Sequence, residues 1–294
     1  MKFPPEFQFT QGNLQNFMDC RRRFYLGSIR QLAWPAVPSE PMVENERRSQ
    51  QGAAFHRMVQ QYFLQIPGEI LISQAQDETL RIWFRNFLSA VSNLPGISVP
   101  GAKCLPEFNL TALEAGCRVA VKYDLLALLP DGQLLIYDWK TSQARTRRST
   151  LANRMQTRLY RYLLTTLGTR LSGLGIQPEQ ISMGYWFANF PDEPDIFPYN
   201  SQQYEADRAF LGQTIQIICR LVEEDKPEKP GVDFPMTSQE KSCAYCVYRS
   251  LCERGVEAGD TSDLILEEVL ALEQGESVLS GLDFSLEQIA EIEF

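Results

Sequence analysis

The amino-acid sequence predicts an α/β fold in which an antiparallel hairpin belongs to a sheet flanked by helices. Three observations predict it. Apolar residues recur at helical and at strand spacing in alternation along the 294 residues, the pattern of a chain that interleaves helices with strands. Two strand-like runs flank a Pro130-Asp131-Gly132 turn, and no repeat or low-complexity tract interrupts the series. A content of 44% hydrophobic and 22% charged residues is that of a chain with a sizeable core, and it excludes disordered, collagenous and coiled-coil classes.

The elements follow in order. Residues 10–26 read as a helix capped by Thr10, with Leu14, Phe17, Met18, Phe24 and Tyr25 at helical spacing. Over 52–64, Phe55, Met58, Val59, Tyr62 and Phe63 fall at i, i+3, i+4, i+7 and i+8 and define one apolar face, with His56 at its edge. A further helix is expected over 76–91, then the loop Pro95 to Gly101, then strands at 103–111, 117–129 and 133–140. A helix over 149–167 follows, striped by Leu151, Met155, Leu159, Tyr162 and Leu163, with Gln156 and Tyr160 one turn apart. Short extended elements at 181–190 and 195–199, a helix over 203–223 and the connector from Lys226 to Gly231 lead to a cysteine cluster.

The Pro-Asp-Gly turn fixes more than topology, because Pro sets φ and Gly accepts the positive φ that closing a hairpin demands. If all three residues form the loop, paired positions sum to 262 and Asp124 lies opposite Asp138, with Cβ atoms about 5 Å apart. Alternation then puts Asp138 and Lys140 on one face and Tyr137 and Trp139 on the other. A two-residue turn would shift the register and break the alignment. Two facing carboxylates repel unless a cation or proton resolves the repulsion, and a divalent metal does so best. With Lys140 on the same face, this is the equipment of metal-dependent phosphodiester hydrolysis. The competing reading is an exposed Asp–Lys ion pair.

Charge is unevenly distributed. The net charge is −9, but Gly255 to Phe294 holds eleven acidic residues and no Lys or Arg, leaving 28 basic against 26 acidic residues in 1–254. Residues 141–170 carry seven Arg, including Arg145, Arg147 and Arg148, and no Asp or Glu. Such a segment is either a solvated surface or a track for phosphates. The chain has seven Cys and one His, so centres built mainly from imidazole are excluded. Cys243, Cys246 and Cys252 fall within ten residues, and with Cys20 they make a four-thiolate set suited to an iron–sulfur cluster, with zinc as the alternative. Cys104, Cys117 and Cys219 sit among apolar neighbours and are assigned to packing.

In order along the chain, His56 in GAAFH, Asp124 in KYDLL, Asp138-Trp139-Lys140 in YDWKTSQ and Gln156 to Tyr160 in QTRLY resemble the RecB-type nucleases of the PD-(D/E)XK superfamily. The opening FTQGNLQNFMDCRRRFYL is similar to the first segment common in that group. Cys20 with Cys243, Cys246 and Cys252 resembles the iron–sulfur staple of the subset containing CRISPR-associated adaptation exonucleases and AddB-type nuclease domains. The resemblance implies a restriction-endonuclease-like α/β fold, a central mixed β-sheet with an antiparallel catalytic hairpin flanked by helices. It implies that Asp124 and Asp138 bind Mg²⁺ or Mn²⁺, that His56 is a further metal ligand and that Lys140 is the catalytic lysine. Gln156 and Tyr160 would line the active site or contact DNA. Glu107 in PEFNL is a looser match to an acidic residue on the preceding strand. The four cysteines would hold a [4Fe–4S] cluster.

The expected function is therefore that of a metal-dependent DNA nuclease acting on single strands or free ends, with Arg145, Arg147 and Arg148 on the phosphate backbone. It would serve repair, recombination or CRISPR-type processing. The alternative is a non-catalytic iron–sulfur DNA-binding scaffold within a larger assembly. No phosphate-loop motif occurs, so helicase activity would have to come from a partner. The expected organisation is a nuclease domain over 1–254 and an acidic tail over 255–294, which is either a solvated helical appendage or a segment that shields the basic groove or binds a partner. The opening MKFPPEFQFTQGN lacks the pattern of a secretory signal, and no apolar run approaches the length of a membrane span; the expected setting is the cytoplasm.

Overall fold

The computed structural model describes residues 2–33, 40–75, 77–172 and 175–255. Five strands form one mixed sheet in sequential order: β1 (Lys103–Glu114), β2 (Cys117–Leu128), β3 (Leu134–Lys140), β4 (Ile181–Phe187) and β5 (Phe190–Pro198). All neighbours are antiparallel except β3 and β4, which run parallel and so need a crossover. Helices α1 (Gln11–Asp19), α2 (Arg21–Phe24), α3 (Glu40–Phe63), α4 (Gly68–Gln74) and α5 (Glu78–Ala90) precede the sheet. The crossover is made by α6 (Arg148–Asn153) and α7 (Met155–Ser172), and α8 (Ser201–Glu224) follows β5.

Two cores lie on the two faces of the sheet. One joins α1, α7 and α8 to Val119, Val121 and Tyr123 of β2 and to Ile136 and Tyr185. The other joins α3 and α5 to Tyr137, Trp139 and Trp186, where Trp139 stacks on Tyr137 at 5.2 Å and meets Phe87 edge-on at 5.6 Å. Gly184 on β4 makes room for that packing, since a Cβ there would come within 2.7 Å of the Tyr137 ring. This is the central mixed sheet flanked by helices that the sequence predicts.

Three helical expectations change in detail. The helix expected over 10–26 starts behind Thr10, which accepts the Asn13 N–H as its cap, but Cys20 is extended at φ −159° and the chain restarts as α2 and a π-helical turn, Tyr25–Ile29. The helix expected over 149–167 breaks at Arg154; the free N–H of Met155 is taken by Gln15 Oε1 at 3.3 Å and the Leu151 carbonyl by Thr157 Oγ1, so the break leaves neither group unsatisfied. Helix α3 begins twelve residues before the expected start. Its polar first half has no apolar stripe to betray it and is braced by Glu44 pairing with Arg47 and Arg48. Helix α4 lay unread between two stronger signals.

Among the described residues no helix is long and apolar enough to cross a membrane. Residues 256–294, and with them the expected acidic tail, lie outside the described residues.

Candidate active site

The β2–β3 hairpin has the expected register, with Leu125 opposite Tyr137 and Leu128 opposite Leu134. The loop closes through Leu129 N–H to the Gln133 carbonyl at 2.9 Å and Gly132 N–H to the Leu129 carbonyl at 3.0 Å. One residue beyond the last pair, β2 and β3 part. There Asp124 Oδ2 accepts the Trp139 N–H at 2.8 Å, a carboxylate standing in for the main-chain oxygen that the ladder would have supplied.

The β1–β2 ladder is interrupted in the same row. It runs from Pro106–Leu125 to Phe108–Tyr123, passing over Glu107 and Asp124, which face one another. Glu107 has φ +53°, a left-handed conformation that costs a non-glycine residue energy and often marks a functional position. The interruption shifts the phase of burial: Val121 and Tyr123 belong to the α7 core, whereas Leu125 and Ala127 belong to the α3–α5 core. Glu107, Asp124 and Asp138 thereby occupy one row across three adjacent strands.

Helix α3 supplies the fourth member. His56 Nδ1 stands 3.4 Å from Asp124 Oδ1, and ligand atoms of His56, Glu107 and Asp124 all lie within 4.8 Å of one another. One imidazole and two carboxylates at this spacing suit a hard divalent cation. Glu107 also pairs with Lys122.

Asp138 has a different set of neighbours. Its side chain is 2% exposed and Oδ2 is 2.9 Å from Lys140 Nζ. Gln156 on α7 closes the triangle, donating from Nε2 to Asp138 Oδ1 and accepting from Lys140 Nζ at 3.2 Å. The register places Asp124 and Asp138 in adjacent positions of one row; Lys140 pairs with Asp138, and Glu107 stands beside Asp124 on its other side.

Gln156 thus stands between Asp138 and Lys140. Tyr160 packs edge-on against Tyr123 at 5.1 Å, and its carbonyl accepts the Tyr123 hydroxyl at 3.0 Å; it braces α7 on the sheet. Three residues join the site without having been singled out: Lys122, Thr157 and Tyr185. Tyr185, the register partner of Asp138, shares a hydrogen bond with Thr157 at 2.7 Å and donates to Gln156 Oε1 at 3.5 Å, and Lys140 Nζ lies 5.6 Å from its ring centroid. Burial, then the charge of Asp138, pushes the Tyr185 hydroxyl far above its usual range, so it stays protonated as a donor.

Much of the basic segment is held by the protein itself. Arg145 and Arg148 share Asp195 of β5, each at 3.1 Å, Arg158 pairs with Asp207, and buried Arg161 donates to the Thr157 and Pro198 carbonyls. Arg147 is exposed.

Away from the sheet row, Cys20, Cys243, Cys246 and Cys252 line a single cavity with Arg23 and Arg249, although Cys20 and Cys243 are separated by more than two hundred residues. Burial pushes the thiols of Cys243, Cys246 and Cys252 up, and cysteine neighbours push each of them further. Arg23 and Arg249 oppose this at Cys246, and Arg22 does so at Cys252. The four cysteines thus share one space with guanidinium groups beside them.

The sequence profile of the PD-(D/E)XK nuclease superfamily matches residues 8–253. No curated protein matches the chain. Among solved structures it is similar to a protein from Eubacterium rectale named as a candidate exonuclease, at 8% identity and a TM-score of 0.49 over 79% of this chain and 91% of that one. It is also similar to the protein designated SSO0001, at 12% identity and a TM-score of 0.38 over 85% and 87% of the two chains.

Proposed function

The chain belongs to the PD-(D/E)XK nuclease superfamily, and from that premise we propose that it is a metal-dependent deoxyribonuclease acting as an exonuclease on single-stranded DNA or DNA ends. The observation that carries the reading is the approach of His56, Glu107 and Asp124 to within 4.8 Å of one another, beside the buried Asp138–Lys140 pair.

His56, Glu107 and Asp124, with Asp138 next in the row, would hold Mg²⁺ or Mn²⁺, which when bound supplies Lewis-acid neutralisation of the phosphoryl oxygens. The protein's own groups do the rest. Asp124 is fixed by the Trp139 N–H, so its second oxygen is pre-aimed at His56. Lys140 Nζ, held between Asp138 and Gln156, offers ammonium protons to the negative charge that builds on the phosphate. Tyr185, bonded to Thr157, meets Gln156 on the side away from Asp138 and so supports the amide that positions the lysine. Arg147 lies on the DNA track, with Arg145 and Arg148 contributing where their charge exceeds that of Asp195. At a second centre, Cys20, Cys243, Cys246 and Cys252 would hold a [4Fe–4S] cluster, which would staple the two ends of a nuclease domain over residues 1–254 as a long-range crosslink does.

The test uses the full chain with 5′- and 3′-labelled single- and double-stranded DNA in Mg²⁺ or Mn²⁺. Cation-dependent shortening of single strands is expected, with Asp124→Ala reduced to background while still binding DNA. Binding without cleavage by the wild type in either cation would favour the non-catalytic scaffold instead. Metal analysis after anaerobic purification decides the cysteine centre: iron with sulfide and absorbance at about 400 nm is expected, and one equivalent of zinc alone would replace the cluster with a zinc staple.

A further inference from the structure

Outside both centres, two further cysteines come together. Cys117, the first residue of β2, and Cys219 on α8 are 102 residues apart, and their sulfurs are 3.1 Å apart. That is close enough for bond formation with a small side-chain shift, since a disulfide brings its sulfurs to about 2.05 Å. The approach is fixed by neighbours on both sides. At the end of the same hairpin Glu114 accepts the Tyr162 hydroxyl of α7 at 2.6 Å, and a Cβ on Gly212 of α8 would come to 3.9 Å from Glu114 Oε1. Both cysteines are partly exposed, so a small oxidant can reach them. Packing alone would be served by any small apolar residue and does not require two sulfurs in contact.

We infer that Cys117 and Cys219 are a dithiol oxidation site, converted by a hydroperoxide to a reversible disulfide that pins α8 to the β1–β2 hairpin. In the first step one sulfur attacks the distal peroxide oxygen, the O–O bond breaks, and a sulfenic acid and one water (or alcohol) form. In the second step the other thiol attacks that sulfur, the S–O bond breaks, a second water leaves and the disulfide is made. Two thiols are oxidised and one peroxide is reduced. Burial and the hydrogen bond shared with Cys117 push the Cys219 thiol up to about 12, so Cys219 is a poor first nucleophile. The inference does not depend on the nuclease reading or on what the other four cysteines hold.

The experiment treats the full chain, with its metals as purified, with hydrogen peroxide, blocks free thiols and digests it with trypsin plus a protease cutting after Glu. Cleavage after Glu114 separates Cys117 from Cys104, so the expected product is unambiguous: residues 115–118 joined to residues 209–220, two hydrogens lighter than the separate peptides and released by dithiothreitol. The oxidised chain should also melt higher by on the order of 5 °C, a rise absent from Cys219→Ser, which should fold and melt like the reduced wild type. Full alkylation of both cysteines after peroxide treatment would overturn the inference. So would a disulfide joining either residue to a different cysteine, or an identical rise in melting temperature in Cys219→Ser.

Discussion

Replacing Lys140 by Met should destabilise the protein through the carboxylate left behind. Asp138 is buried, its side chain 2% exposed, and the ammonium that neutralises it is 2.9 Å away and only 11% exposed. Solvent therefore screens the pair little, and the low discount that applies to surface ion pairs does not apply here. Removing one partner of a buried pair costs about 3–5 kcal/mol. Gln156 still donates to Asp138 Oδ1, which holds the expectation to the lower end. In a domain of this size each kcal/mol lowers the melting temperature by about 2–4 °C, so Lys140→Met should melt about 10 °C below wild type in chelator. Exchanging the whole pair is different, because a buried ion pair replaced together is often neutral. The double variant Asp138→Asn/Lys140→Met should recover most of the loss. Differential scanning calorimetry of the three proteins decides it. A wild-type melting temperature for Lys140→Met, or a double variant no more stable than the single, would refute the view that Lys140 neutralises Asp138.

Arg147→Ala should weaken binding to single-stranded DNA and reduce the slope of log K against log salt by about 0.7 without changing the melting temperature, whereas Arg148→Ala should also lower the melting temperature because Asp195 loses one of its two guanidinium partners; unchanged affinity and slope in Arg147→Ala would remove it from the DNA track. Asp77 caps α5 through the Leu80 N–H at 2.9 Å; burial pushes its carboxyl up, but the bonds from Gln51 and from the backbone N–H groups, with the charge of Arg47, outweigh burial and hold it below the usual range. A depressed value means that stability is present above about pH 4 and lost as pH falls through the folded value, so the deficit of about 1 kcal/mol in Asp77→Ala should shrink in acid, and a constant deficit from neutral to strongly acidic pH would contradict this. Truncation after Arg254 should tighten DNA binding at low salt, with the gain fading above about 0.2 M; equal affinities across the salt series would leave partner docking as the role of the tail.

The sequence was most legible where turn chemistry was strong. Pro130-Asp131-Gly132 narrowed the β2–β3 register to two choices, and the three-residue loop is the one observed, with Asp138 and Lys140 on one face. Glu107 was nearly invisible for the complementary reason. Its position opposite Asp124 depends on the turn at Ala115-Gly116, where both residues have positive φ, +49° and +79°. Alanine does not advertise a left-handed conformation, so β1 could be recognised but not aligned. Reading that turn as a two-residue hairpin loop would have put Glu107 into the site from sequence alone. The fate of the arginines was unreadable in another way. Charge counts reveal that a segment is basic, but not that Asp195 and Asp207, from elements after the crossover, return to meet it. Nor could spacing distinguish Cys117 and Cys219 from ordinary packing cysteines, since their meeting depends on how α8 lies across the sheet.

The skipped pair in the β1–β2 ladder separates the chemistry from the scaffold. Glu107 and Asp124 are one extra residue on each strand, and the ladder resumes on the far side of them in the same register. Excising both would leave Pro106–Leu125 stacked directly on Phe108–Tyr123 and would restore regular alternation between the two cores. The pairing of β1 with β2 is thus complete without the two residues that carry the acids, and the structural use of Asp124 lies on the other side, where it accepts the Trp139 N–H. The pairing of β1 with β2 does not by itself maintain this irregularity; the row of acids is what it brings together.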